Sequence, residues 1–170
     1  MHAPYLVTFV CMGNICRSPT AHGVFRDRVR GAGLEGLVRV DSAGTHGHFH
    51  AGEPPDSRAQ RHARTRGYDL SDLRARALHS ADFTRSDLLL VMDWDNLATA
   101  GERCPNEHRG KLRRLTEFCR RHEAVVVPDP YHGGDHGFDA VLDLVEDACD
   151  GLLDHVRGQL RARTTGHPPA

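Results

Sequence analysis

An apolar, β-rich run, Tyr5-Leu6-Val7-Thr8-Phe9-Val10, leads directly into Cys11-Met12-Gly13-Asn14-Ile15-Cys16-Arg17 and then into Ser18-Pro19. This order constrains the fold more than any other part of the chain. An apolar run of that length without polar alternation reads as a strand buried on both faces. Ser18 suits a helix N-cap and Pro19 the first helical position, after which Val24, Phe25 and Val29 recur at helical spacing until Gly31 and Gly33. The expected order is therefore strand, loop, helix, with Cys11 at the C-terminal end of the strand.

Further strands and helices alternate along the chain. Leu37 to Val40 reads as a second strand ending in the loop composition Asp41-Ser42-Ala43-Gly44, which completes a βαβ unit. A Gly-, Pro- and His-rich loop over His46 to Pro55 precedes a polar helix from Asp56 to Arg66 that Gly67 closes. Asp87 to Met92 is the strongest buried-strand signal, and Asp93 caps the short helix that follows. Leu112 to Leu115 is a weaker fourth strand, and Val125-Val126-Val127 runs into the stiff Pro128-Asp129-Pro130. Phe138, Val141, Leu142, Val145, Cys149, Leu152 and Val156 specify one long amphipathic helix. The expectation is an α/β fold: a small doubly wound sheet of about four parallel strands flanked by helices, as one domain over residues 1–162. Arg163 to Ala170 is expected to be a flexible tail. The ligand site of such a sheet lies at the C-terminal ends of the strands, where Cys11, Ser42 and Asp93 all fall.

Composition narrows the partners. A formal net charge of -1 gives no electrostatic case for nucleic acid or an anionic membrane. No apolar run approaches the ~20 residues of a membrane span, and Met1-His2-Ala3-Pro4 does not resemble the start of a secretory signal. A soluble, cytoplasmic protein is expected. The 5 cysteines are odd in number and contain no C-x-x-C pair, which fits reduced thiols and excludes a zinc ribbon.

The spacing C-x5-R is weak evidence by itself, since with this many cysteines and arginines about 0.6 such matches arise by chance. Its setting carries the argument. The loop follows a buried strand, opens a helix and contains Gly13 and Asn14, which tolerate unusual backbone angles. Backbone N–H groups from Met12 through Ser18 can then converge on one anion at the positive end of the helix dipole. Arg17 adds a planar fork for two phosphate oxygens. A thiol at a helix N-terminus beside a guanidinium ionises readily, which makes Cys11 the candidate nucleophile and Ser18 a hydroxyl partner for it.

The stretch V-C-M-G-N-I-C-R-S-P-T-A resembles the signature of the low-molecular-weight protein tyrosine phosphatases, bacterial type. Val40 to Thr45, Gly52-Glu53-Pro54, Met92-Asp93 with Asn96-Leu97, and Asp129-Pro130-Tyr131 resemble further family segments in the same order, to about Leu160. The resemblance implies hydrolysis of phosphotyrosine in proteins through a phosphocysteine. Cys11 would be the nucleophile, Arg17 and the amides from Met12, Gly13, Asn14, Ile15 and Cys16 to Arg17 would hold the phosphoryl oxygens, and Asp129 would be the general acid and base. Asn14, Ser18 and Ser42 would support the loop. Tyr131 would form one wall of a deep pocket, Phe49 the other, and His132 the rim. No cofactor and no metal are implied. The expected partners are tyrosine-phosphorylated proteins and a tyrosine kinase, and the expected state is a monomer.

Departures from the family pattern are equally specific. Leu73 stands where the family commonly has a histidine that supports the phosphate loop, so a slightly less rigid loop is expected; His132 replaces a second tyrosine. Two readings of Cys16 stay open: a disulfide with Cys11 under peroxide, or simple packing. The alternating His46, His48 and His50 read as a solvated cluster rather than metal ligands. Arsenate reduction is a second activity for such a loop, but Cys104 and Cys119 are not an obvious disulfide relay. A non-enzymatic phospho-ligand module would be expected to lose its nucleophile or acid, and Cys11, Arg17 and Asp129 are all present.

Overall fold

The computed structural model describes residues 2–166. Among the described residues, nine strands and α-helices follow one another: β1 (Tyr5–Cys11), α1 (Arg17–Gly31), β2 (Val38–Gly44), α2 (Ser57–Thr65), α3 (Ser80–Arg85), β3 (Leu88–Val91), α4 (Trp94–Arg103), β4 (Leu112–Arg114) and α5 (Asp135–Thr165). The four strands form one sheet in the order β2-β1-β3-β4, and every adjacent pair is parallel. All strands therefore point their C-terminal ends at one rim, where the expected site lies.

The two central strands, β1 and β3, bury both faces, as their unbroken apolar runs require. Val7, Phe9, Leu88, Leu90 and Met92 join the core under α1 and α5, while Val10, Leu89 and Val91 pack on the other face with Phe83 and Ala100. The one polar side chain in the middle of β1, Thr8, is fully buried and satisfied by the Ser86 hydroxyl at 2.7 Å. An unpaired hydroxyl there would cost about 1–3 kcal/mol.

Several boundaries differ from the expectations. Asp41 to Gly44 continues β2 instead of forming a loop, because each residue pairs in register with Thr8 to Cys11 of the central strand. Tertiary pairing overrides the loop-like composition. Ser18 is not the N-cap of α1. The helix begins at Arg17 with Cys16 in the cap position and no side-chain cap, so Pro19 sits within the first turn, where its missing N–H costs nothing. Helix α3 was not anticipated; its capping box pairs His79 with Asp82, and histidine is not an ordinary cap signal. Helix α5 runs on to Thr165, and Arg163 donates to Ala3 O at 3.1 Å and Asp87 Oδ1 at 2.7 Å, so the expected flexible tail does not begin at Arg163. The remainder of that tail, 167–170, lies outside the described residues.

Asp147 on α5 is fully buried, and it accepts from the backbone N–H groups of Arg120, Arg121 and His122 at 2.8–2.9 Å. His122 Nδ1 adds a further contact at 2.8 Å. Burial alone would raise its pKa, but these donors outweigh it and hold the carboxyl well below the usual carboxylate range. They fix the turn at residues 120–122 against α5. Because the folded-state value is depressed, this stabilisation is complete above the unfolded carboxylate value of about 3.9 and is lost as pH falls below it. Asp147→Ala is expected to cost about 3 kcal/mol at neutral pH, with the difference from wild type narrowing in acid. Urea unfolding across pH checks this; a difference that does not change with pH contradicts it.

Candidate active site

Cys11, 3% exposed, ends β1 at the floor of the site. The loop after it is held from outside through its carbonyls. Thr45 N donates to Cys11 O at 2.9 Å, His46 N to Met12 O at 2.8 Å, Asp56 N to Ile15 O at 2.8 Å, and Thr20 Oγ1 to Cys16 O at 2.7 Å. Gly44 passes so close beneath that an added Cβ would lie 2.6 Å from Met12 O and 3.0 Å from Asn14 N. No side chain fits there.

Asn14 adopts φ 58°, a conformation that asparagine tolerates better than most residues. Its side chain fixes that conformation at both ends: Oδ1 accepts from Arg76 N at 3.0 Å, and Nδ2 donates to Ser18 Oγ at 2.8 Å. Ser18 Oγ in turn lies 3.0 Å from Cys11 Sγ. With a lone pair already engaged by Asn14, the hydroxyl hydrogen is available to the sulfur. Leu73 packs into the main core and offers the loop no polar group. Bracing of the loop from this segment comes instead through the Arg76 backbone.

Arg17 is 3% exposed and its guanidinium is fixed by three oxygens. Nη1 donates to Asp93 Oδ2 at 2.6 Å and to Val127 O at 2.9 Å, and Nη2 stands 3.7 Å from Asp129 Oδ2. Asp93 also caps α4, accepting from Asn96 N at 2.7 Å, so the helix end orients the carboxylate. Val127 N donates to Met92 O at 2.7 Å, which docks the Pro128-Asp129-Pro130 segment on the end of β3.

A cavity of about 150 Å³ opens above this floor. Cys11, Met12, Gly13, Ile15, Cys16 and Arg17 form its base, and Asp129, Tyr131, His132 and His50 its sides. The expected wall residue Phe49 is not among them. It is 70% exposed and lies tilted against the His48 ring, centroids 4.2 Å apart, because the short 3-10 turn Gly47–His50 turns His50 inward. His50 is held by Glu53, whose Oε2 lies 2.8 Å from His50 Nδ1. Ser42 also lies off the cavity; its hydroxyl meets His22 Nδ1 at 2.9 Å, tying β2 to α1 just after the loop. Burial, aided by the Arg26 charge, pushes the His22 pKa down to about 4, so this ring is neutral at pH 7. Burial, with the negative charges of Asp56 and Asp129, pushes the Cys16 thiol well up.

A thiol and a guanidinium buried at the mouth of a helix, at the C-terminal rim of a parallel sheet, define an α/β enzyme site built for an oxyanion. The chain matches the low molecular weight phosphotyrosine protein phosphatase model over residues 6–162 and belongs to that family. It is 44% identical over 165 residues to the low molecular weight protein-tyrosine-phosphatase of Streptomyces coelicolor, covering 94% of this chain and 98% of that one. To low molecular weight protein-tyrosine phosphatase A of Mycobacterium tuberculosis it is 39% identical over 162 residues, covering 94% and 96%. Among solved structures, a protein tyrosine phosphatase from Entamoeba histolytica with Hepes in its active site matches with a TM-score of 0.87 at 38% identity, covering 90% of this chain and 97% of that one. YfkJ from Bacillus subtilis matches with a TM-score of 0.87 at 32% identity, covering 93% and 98%.

Sequence reasoning missed two members of the site. Asp93 is expected at the rim of the site as a helix cap, with no part in holding Arg17, yet it grips Arg17, 76 residues away. His50 was hidden by its neighbour Phe49, the more obvious aromatic. The only available signal was the 3-10 period of three residues per turn, which decides which of two adjacent rings faces inward.

Proposed function

We propose that this protein hydrolyses phosphotyrosine in proteins through a phosphocysteine at Cys11. The observation that carries the reading is the convergence of Cys11, Arg17 and Asp129 on one cavity, with Asp129 3.7 Å from the guanidinium that would hold the phosphate. In the first step the Cys11 thiolate attacks phosphorus, the bond to the tyrosine oxygen breaks, and Asp129 passes its proton to that oxygen. A phenolate with a pKa near 10 is otherwise a poor leaving group. In the second step water attacks the phosphocysteine, the Asp129 carboxylate takes a proton from it, and phosphate departs as the thiolate re-forms. Arg17 and the loop amides stabilise the charge on the equatorial oxygens in both steps.

Tyr131, an aromatic ring on the side of the cavity, supports a preference for an aromatic phosphoester over a short aliphatic one. The reductase reading needs partner thiols, and neither Cys104 nor Cys119 lines the cavity. Phosphate release from matched phosphotyrosine and phosphoserine peptides tests the substrate class. At least about tenfold higher kcat/KM on phosphotyrosine, ~1.4 kcal/mol of discrimination, is expected. Equal rates on the two peptides contradict it.

A further inference from the structure

The Asp129 segment is held from one side by Val127, as described, and from the other by a residue with no role in the scheme so far. Arg58 lies in the first turn of α2. Its Nε donates to Asp56 Oδ1 at 3.1 Å and its Nη2 to Asp56 Oδ2 at 3.0 Å, a bidentate grip on the residue that caps its own helix. The same Nη2 donates to Tyr131 O at 2.9 Å, and Nη1 reaches Gly133 O at 3.5 Å. The flat face of the guanidinium lies 4.7 Å from the Phe138 ring centroid and 5.7 Å from that of Tyr131. Phe138, at the start of α5, packs with Ile15 and Cys16 of the phosphate loop.

Both ends of this bridge touch the catalytic parts. Asp56 N donates to Ile15 O at 2.8 Å, so the Asp56 end is fixed to the phosphate loop. At the other end Tyr131 is held twice: its carbonyl by Arg58, and its N–H by donation to Asp129 Oδ1 at 3.1 Å. The connection runs Ile15, Asp56, Arg58, Tyr131, Asp129, each link a direct hydrogen bond. We infer that Arg58 is a positioning residue for the general acid, fixing the turn that carries Asp129 at a set distance from the phosphate loop. The demand is specific to arginine. One planar fork serves a carboxylate and a carbonyl while stacking on two rings, which the point charge of lysine does not reproduce.

This inference rests on the proposed role of Asp129, and its test separates the two. Phenyl phosphate needs its leaving oxygen protonated; 2,4-dinitrophenyl phosphate does not. The quantity to compare is kcat/KM, which covers the steps up to departure of the phenol. Arg58→Met is expected to lose about tenfold on phenyl phosphate and less than about twofold on the dinitrophenyl ester, a fraction of the full general-acid effect. Arg58→Lys is expected to show the same pattern rather than rescue it, and as the milder change it carries the test if the methionine variant does not stay folded. Alkylation of Cys11 by iodoacetate at the wild-type rate would accompany that pattern, since the loop itself is untouched. Equal losses on the two esters, or no loss on either, overturn the inference and reduce Arg58 to a structural tie. A wild-type enzyme inert toward both esters overturns the phosphatase reading beneath it.

Discussion

Cys11→Ser is expected to lower phosphate release from a phosphotyrosine peptide by roughly 10,000-fold or more, as removal of a nucleophile does in a covalent mechanism. The change is nearly isosteric, and the loop does not depend on the sulfur. Its carbonyls are held by Thr45, His46, Asp56 and Thr20, and Asn14 keeps its bonds to Arg76 and Ser18. What is lost is reactivity. Sulfur attacks as a thiolate beside Arg17 and the start of α1, whereas a serine hydroxyl needs a general base to become a comparable nucleophile. Competition by inorganic phosphate should therefore survive in the variant while turnover disappears. Initial rates with wild-type and variant protein decide the matter, and a variant within about tenfold of wild type would remove Cys11 from the mechanism.

Asp129→Asn is the second large effect. Asparagine keeps the shape and the oxygen that accepts from Tyr131 N at 3.1 Å, but it has no proton to give. General acid catalysis of this kind contributes about 100- to 10,000-fold, and the loss should follow the leaving group. Phosphotyrosine and phenyl phosphate are expected to lose about 100-fold or more in kcat/KM, and 2,4-dinitrophenyl phosphate only a small part of that. The covalent intermediate should also break down more slowly, because the same carboxylate activates water. Uniform losses across leaving groups would assign Asp129 to holding Arg17, 3.7 Å away, instead of to proton transfer.

The loop from Cys11 to Arg17 was legible in the sequence because the proposed nucleophile, the loop amides and the guanidinium sit on one short stretch whose flanks specify a buried strand and a helix. The parallel sheet followed from the alternation of strand and helix signals. Contacts made across the fold left no local mark. Arg17 meets Asp93 76 residues on, and Asn14 is braced by the backbone N–H of Arg76, which any residue except proline would supply. Ser18 resembled a helix cap because serine caps helices in isolation, yet its hydroxyl is drawn into the loop by Asn14 and Cys11. Asp41 to Gly44 resembled a loop because its strand character comes from pairing with β1 and not from its own propensities. Phe49 and His50 differ by one position in a tight turn, and composition favours the residue that the geometry turns outward.

The most direct test of covalent phosphoryl transfer is mass analysis of acid-quenched protein during turnover of a phosphotyrosine peptide, with Asp129→Asn used to slow breakdown of the intermediate. The predicted result is one phosphoryl group on the peptide containing Cys11, bonded through sulfur and absent from Cys11→Ser. A phosphoryl group on any other residue, or steady turnover by Cys11→Ser with no adduct at all, would contradict it.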